Sequence, residues 1–86
     1  MPKICQFLGI IIYMYFRDHA PPHFHAKYGE FEGMVGLDPI RQIEGNLPPR
    51  ILGLVIEWAT LYSMELKEAW NAAAHKDSIP KVPPLV

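Results

Sequence analysis

The fold of this chain can be derived from one stretch in its first half, His23-Phe24-His25-Ala26-Lys27-Tyr28-Gly29-Glu30-Phe31. Polar and apolar side chains alternate up to Tyr28, which is the pattern of a β-strand with one face in the core. Gly29-Glu30 fits the centre of a type II′ turn, because glycine accepts the positive φ that the first central position requires. The stretch therefore predicts a hairpin in which residues 31–37 return beside the first strand.

A second apolar segment precedes this hairpin. Residues 4–16 are rich in β-branched and aromatic side chains, and they predict a short strand, a bend at Gly9 and then a longer strand. The segment Asp18-His19-Ala20-Pro21-Pro22 follows. Its two prolines remove backbone donors, so we expect a loop there. Residues 41–44 are expected to add a short edge strand.

Helical spacing begins after Asn46-Leu47-Pro48-Pro49. Apolar side chains recur there at the three- and four-residue intervals of one helix face, at Ile51, Val55, Trp58, Tyr62, Leu66, Ala69, Trp70 and Ala73. One helix of this length would measure about 39 Å. The pattern therefore predicts either one long kinked helix or two helices that are broken near Tyr62-Ser63, with Ser63 as the N-cap of the second. Trp58 is expected to be buried against strand residues such as Ile12 and Phe24.

These elements predict one α+β domain over residues 1–86. An antiparallel sheet of three to five strands (about 3–45) is packed on one face by the helices (about 48–75), and an extended tail (78–86) follows. The single cysteine, Cys5, can form no internal disulfide, which favours a reducing, cytoplasmic setting. The longest apolar run, residues 7–16, is far shorter than the ~20 residues of a membrane-spanning helix, so no membrane association is expected.

The pairing register decides which side chains share a sheet face, because a one-residue slip exchanges the two faces. We expect Tyr13 opposite His25, Tyr15 opposite His23 and, in the next hairpin, Lys27 opposite Glu32. One face, which we call the Tyr/His/Lys face, then carries Tyr13, Tyr15, Arg17, His23, His25 and Lys27. The other carries the apolar side chains that the helices should cover, Ile10, Ile12, Met14, Phe16, Phe24 and Ala26. The slipped register would bury imidazoles among apolar side chains without hydrogen-bond partners.

The Tyr/His/Lys face is expected to be open, or to be covered only by a partner or the C-terminal tail, and to lack a facing carboxylate. It contains the groups that metal-free RNA cleavage needs. Imidazoles can act as acid and base near neutral pH, cations can stabilise the phosphorane, and tyrosine rings can stack on bases. The predicted catalytic residues are His23, His25, Lys27 and Arg17. The predicted substrate-binding residues are Tyr13, Tyr15, Asp18 and His19. No cofactor is expected in this interpretation.

The charge distribution places an anionic ligand at the N-terminal third. The formal net charge of -1 provides no general attraction to nucleic acid. Residues 1–28, however, carry three basic side chains against one acidic, a local +2, whereas residues 29–86 carry five basic and eight acidic side chains, a local -3.

Two other interpretations of the same face stay open. It could be a non-catalytic protein-binding or regulatory surface. Alternatively, His23 and His25 could bind a metal ion with Asp18 or His19 as the third ligand, although His-x-His pairs are common without metal. The sequence alone favours the metal-free enzyme over both.

One set of motifs is also characteristic of a family. Phe7-x-Gly9, Ile12-Tyr13-Met14-Tyr15 and Asp18-His19-x-Pro21-Pro22-His23-Phe24-His25-Ala26 resemble a family of short bacterial domains of unknown function, and the resemblance continues through the helical region to a Pro-Leu ending. Members are often encoded beside a second small protein, in an arrangement similar to a toxin–antitoxin pair. The resemblance implies a toxin-like protein with a small antitoxin-like partner, and it assigns no residue a role. RNA is a candidate substrate because of the chemistry of the Tyr/His/Lys face, and a homodimer is a candidate assembly. The sequence differs from the family pattern at Ala20, where a polar residue is expected, and at Gly36, where a larger side chain is expected.

Overall fold

The structure is a computed structural model that describes residues 2–86, and it consists of an antiparallel sheet followed by two helices. The strands are β1 (Lys3–Phe7), β2 (Ile10–Tyr13), β3 (His23–Tyr28), β4 (Phe31–Gly36) and β5 (Gln42–Gly45), and they lie side by side in chain order. The helices are α1 (Pro49–Leu61) and α2 (Ser63–Ala74). The predicted α+β class and the order of its elements are confirmed.

The two central pairings follow the predicted register. In the pairing of β2 with β3, Tyr13 lies opposite His25. In the pairing of β3 with β4, Lys27 lies opposite Glu32, and Gly29 in the connecting turn has the predicted positive φ of 60°. His25 and Lys27 therefore share one face of the sheet with Tyr13, as expected.

The first two strands differ from the prediction in detail. Leu8 and Gly9 both have positive φ values, 48° and 80°, so the bend expected at Gly9 is the centre of a tight type I′ turn between β1 and β2. β2 has four residues against five in β1, so it is not the longer strand that was expected. It ends at Tyr13, and the expected ladder pair between Tyr15 and His23 of β3 therefore does not form. Phe16 was expected to lie on the apolar face, but it is 41% exposed.

The helices cover the apolar face of the sheet. Trp58 of α1 is completely buried, with ring centroids 5.6 Å from Phe7 and 5.5 Å from Phe24. Leu66 and Ala69 of α2 belong to the same core. The predicted burial of Trp58 against Phe24 is confirmed, and it places the helical layer behind the Tyr/His/Lys face.

Of the two alternatives that the sequence left open, one long kinked helix or two helices, the structure has two. Tyr62 has φ -115° and separates α1 from α2, while its N–H still donates to the carbonyl of Trp58. Ser63 is the first residue of α2 rather than its N-cap, and the cap residue, Tyr62, makes no side-chain capping bond. The helices have 13 and 12 residues. Neither helix within residues 2–86 is long and apolar enough to cross a membrane.

The C-terminal tail, residues 78–86, forms neither helix nor strand and runs along the first edge of the sheet. The N–H of Val82 donates to the carbonyl of Ile4 at 2.9 Å, and the Val82 side chain is buried. The indole N–H of Trp58 donates to the carbonyl of Pro83 at 2.8 Å. The tail thus connects β1 to α1 and covers part of an edge that would otherwise be unpaired.

Glycine is required where β5 approaches β4. Gly45 has φ 99°, and a Cβ there would collide with the carbonyl oxygen of Glu32 and lie 2.6 Å from the Cα of Gly33. A Cβ at Gly36 would lie 3.1 Å from Ile43 and 3.2 Å from the Pro39 carbonyl. A larger side chain at position 36 would therefore require Ile43 and the Pro39 carbonyl to shift slightly.

Candidate functional site

The connection between β2 and β3, residues 14–22, brings an acidic side chain to the Tyr/His/Lys face. The chain leaves the sheet after Tyr13, and the N–H of Arg17 donates to the carbonyl of Ala73 near the end of α2 at 3.0 Å. Arg17 has a positive φ of 52°, which turns the backbone at this point. The next residue, Asp18, then lies beside the imidazoles of β3.

The two carboxylate oxygens of Asp18 have different partners. Oδ1 accepts from the backbone N–H of His19 at 2.9 Å, whereas Oδ2 lies 2.9 Å from Nε2 of His23 and 3.4 Å from Nε2 of His25. Burial raises the pKa of this carboxyl, but the hydrogen bonds from His25, the His19 backbone and His23 outweigh that effect, so the pKa lies below its usual value. Asp18 is therefore a carboxylate at neutral pH.

His23 is buried, with 1% of its surface exposed. Its Nδ1 lies 2.6 Å from the carbonyl oxygen of Pro21, and its ring centroid lies 5.1 Å from that of Trp70 in α2. The expectation of a fully open Tyr/His/Lys face is wrong at this end, because α2 and the connection cover His23. A substrate cannot contact this imidazole in the present conformation.

His25 is the imidazole through which the site reaches solvent, with a side chain that is 14% exposed. Its ring is stacked on Tyr13 at 5.2 Å with an interplanar angle of 12°, and it meets Tyr15 edge-on at 4.9 Å. Tyr13 is buried and donates its hydroxyl proton to Glu32 at 2.6 Å. Burial and the neighbouring Glu32 carboxylate both raise the pKa of Tyr13, so it is a neutral donor.

The face is more acidic than the sequence predicted. Asp18 and Glu32 both contact it, which contradicts the expected absence of a facing carboxylate. A depression of about 250 Å³ beside His25 is lined by His25, Glu32, Gly33, Met34, Glu44 and Gly45. The glutamates come from β4 and β5, which lie outside the segment with local charge +2. The positive charge expected around the histidines is therefore offset by strands that follow them in the chain.

The structure brings together five of the eight predicted site residues: Tyr13, Tyr15, Asp18, His23 and His25. His19 lies at the margin, where its Nδ1 is 3.1 Å from Oδ1 of Asp18 while 86% of its side chain is exposed. Arg17 and Lys27 are exposed, and neither forms an ion pair with a carboxylate in the described part of the chain. Their predicted phosphate contacts stay predictions.

Two contributors were missed by sequence reasoning. Glu32 could have been found, because the predicted register already placed it opposite Lys27 on this face. Trp70 could not have been found, because its position in the apolar stripe of a helix gives no indication that its ring packs against His23. The Asp18 contact was considered only as one of two candidate third metal ligands.

Comparison with known proteins identifies the family and nothing beyond it. Residues 9–71 match the family model described as "Domain of unknown function (DUF4160)". The match covers more than half of the chain, and the chain therefore belongs to this family. Neither the curated proteins nor the solved structures include a match to the chain. The function has to be inferred from the site.

Proposed function

We propose that this chain is the toxin-like component of a toxin–antitoxin pair, that it acts in the bacterial cytoplasm, and that it cleaves RNA at the Asp18, His23 and His25 site. One observation supports the proposal above the others. A partly exposed imidazole, His25, is bound to a carboxylate through one nitrogen and packed between two tyrosine rings. Such an arrangement orients a group for proton transfer at a surface where a base can stack.

RNA cleavage through the 2′-hydroxyl requires that this hydroxyl loses a proton and that the 5′-oxygen gains one. Since His23 is buried, the group that removes the proton has to lie at His25, and the proton that it takes up is then available to the departing 5′-oxygen, directly or through solvent water. It is either the imidazole itself or a water molecule on a cation held by the cluster, and a chelator distinguishes the two. The exposed Tyr15 beside His25 is the stacking surface for an unpaired base.

The burial of His23 changes the role that the sequence assigned to it. We assign it as a positioning residue for Asp18, whose Oδ2 it contacts at 2.9 Å, rather than as an acid or base that touches substrate. Arg17 and Lys27 remain the candidate phosphate contacts because both are exposed and free of ion pairs within residues 2–86. Asp18 and His19 are then expected to act on the imidazoles more than on substrate.

The antitoxin-like partner is expected to cover this face. Tyr15 and Phe16 are each 41% exposed and follow each other next to the site, so a protein bound there would bury apolar surface and block His25 at once. A non-catalytic binding module that uses the same surface is the competing function. A homodimer through this face would also hide His25, and size-exclusion chromatography at several concentrations detects it.

The test is RNA cleavage by purified, tag-free protein together with the growth effect of inducing the chain in a bacterial host. His25→Gln is expected to lower cleavage at least ~100-fold, the usual contribution of a positioned acid or base, and to remove growth arrest. His75→Gln is the matched control, because it replaces an exposed histidine near the end of α2. Circular dichroism confirms folding of both variants.

The outcomes separate the two functions. Arrest that depends on His25 and is relieved by the small protein encoded beside the gene supports the toxin-like enzyme. Absence of both cleavage and arrest in the wild type overturns it and favours the binding module. In that case the neighbouring protein should still bind, and Tyr15→Ala should weaken binding.

A further inference from the structure

Three potential metal-binding atoms converge on one point of the site. Nε2 of His23 and Nε2 of His25 lie 2.9 and 3.4 Å from Oδ2 of Asp18, and all three atoms lie within 4.8 Å of one another. Two ligands bound to one zinc ion at about 2.1 Å would be separated by roughly 3.0 to 3.4 Å in octahedral or tetrahedral geometry. The two distances to Asp18 lie in or close to this range, and the third distance, between the two imidazole nitrogens, is at most 4.8 Å.

In His23 and Asp18, the polar atom that does not face the cluster already has a hydrogen-bond partner, so the remaining atom is directed at the cluster. Nδ1 of His23 lies 2.6 Å from the Pro21 carbonyl and can only donate to it, which leaves Nε2 with a lone pair in the neutral ring. Oδ1 of Asp18 accepts from the His19 N–H, which leaves Oδ2 for the cluster. Metal-binding histidines in proteins commonly donate their second N–H to a carbonyl in this manner.

Without a cation, the arrangement has a cost. Both nitrogens of His23 then face oxygen acceptors, and the neutral ring has only one N–H to donate, which the Pro21 carbonyl receives. The Asp18 carboxylate then faces the lone pair of Nε2 on a ring that is 1% exposed, and its second contact, to His25, is long at 3.4 Å. A divalent cation between the three atoms accepts that lone pair and so removes the unfavourable contact.

The donor set indicates the kind of metal. Two imidazole nitrogens and one carboxylate oxygen suit zinc and first-row transition metals, whereas calcium and magnesium prefer oxygen ligands alone. Three protein ligands leave at least one coordination position for water or substrate, as catalytic sites require. The partial exposure of His25 gives such a position access to solvent.

From this geometry we propose that Asp18, His23 and His25 bind one divalent transition-metal ion, with Zn²⁺ as the reference ligand. The interpretation of the site as metal-binding goes beyond RNA cleavage and does not depend on it. One consequence does rest on the proposed function. Asp18, Glu32 and Glu44 oppose Arg17 and Lys27 around the site, and a bound cation would provide the positive centre that a phosphodiester needs there.

The experiment measures metal binding directly and without RNA. Tag-free full-length protein is dialysed against EDTA and then against metal-free buffer, and it is titrated with Zn²⁺ by calorimetry and with Co²⁺ by visible absorption. We expect one ion per chain, and a thermal midpoint that rises with Zn²⁺ concentration. Asp18→Asn and His25→Gln are expected to weaken binding at least ~100-fold, since each removes a direct ligand.

The controls and the opposite results are equally defined. His75→Gln changes an exposed histidine near the end of α2, outside the site, and should leave binding within a factor of about three. His23→Gln is informative only if circular dichroism shows that it folds, and the test does not depend on it. Absence of saturable binding, or binding that survives Asp18→Asn and His25→Gln, overturns the metal site and leaves the contact between Asp18 and His23 as a hydrogen bond. Cleavage of RNA in EDTA without metal binding rejects the metal but keeps the enzyme, whereas binding without cleavage does the reverse.

Discussion

Replacement of Trp58 by alanine is expected to remove a large part of the stability of this chain. The side chain is fully buried, contacts the rings of Phe7 and Phe24, and donates its indole N–H to Pro83 at 2.8 Å. Truncation of a buried tryptophan costs about 3–5 kcal/mol. A domain of 86 residues has only about 4–13 kcal/mol in total, at roughly 0.05–0.15 kcal/mol per residue.

Two further variants make the prediction measurable even if Trp58→Ala does not fold. Trp58→Phe keeps an aromatic ring against the sheet but loses the bond to Pro83, so it should cost about 1–2 kcal/mol. Met64→Ala replaces a large apolar side chain that is 75% exposed, and it should change stability by less than about 0.5 kcal/mol. Urea unfolding followed by far-ultraviolet circular dichroism gives all three values.

The reasoning about the core fails under one result. The free energy of unfolding of Trp58→Ala could lie within about 1 kcal/mol of the wild-type value, with the same dependence on urea concentration. The indole would then not contribute the packing energy that its burial implies. A loss in Trp58→Phe equal to that in Trp58→Ala would instead assign the stability to the tail contact at Pro83.

Two other predictions concern positions outside the site. Gly45→Ala should destabilise the chain by at least about 1 kcal/mol, because Gly45 has φ 99° and a Cβ there would collide with the backbone of Glu32. Gly53→Ala on α1 should stabilise the chain by about 0.5–1 kcal/mol, because a Cβ there would meet no other atom. Urea unfolding measures both changes, and equal changes in the free energy of unfolding would contradict the prediction. Cys5 is buried, and this burial raises the pKa of its thiol even though hydrogen bonds from Gln6 and Trp58 lower it. A disulfide reagent should therefore modify Cys5 at least ~100-fold more slowly in the native protein than in denaturant. Rapid modification of the native protein would show that β1 and the tail open readily.

The strand pattern predicted which side chains share the face of the candidate site but not which of them are exposed. The alternation in β3 placed His25 and Lys27 on one face with Tyr13, and the register then required Glu32 to lie there too. The alternation could not show how exposed each side chain on this face is. Lys27 stays exposed, whereas Tyr13 is buried, because its hydroxyl bonds to Glu32 and its ring stacks on His25.

The change in the role of His23 has the same origin. A residue at the start of a strand can be covered by the preceding connection or by the nearest helix. The positions of both are independent of the alternating pattern of the strand. Here Trp70 of α2 packs on the ring, and the Arg17 bond to Ala73 holds the connection against that helix. A group assigned to substrate contact becomes a buried partner of Asp18.

The sequence by itself determined the order of sheet and helices, the register of the two central pairings and the turn at Gly29, because these depend on local periodicity and glycine conformation. Only the tertiary structure decided that Asp18 contacts both imidazoles. That contact joins a side chain on an irregular connection to a strand, and its geometry depends on where the connection meets α2. Local preferences specify backbone shape over a few residues, whereas the convergence of three side chains is a property of packing between distant segments.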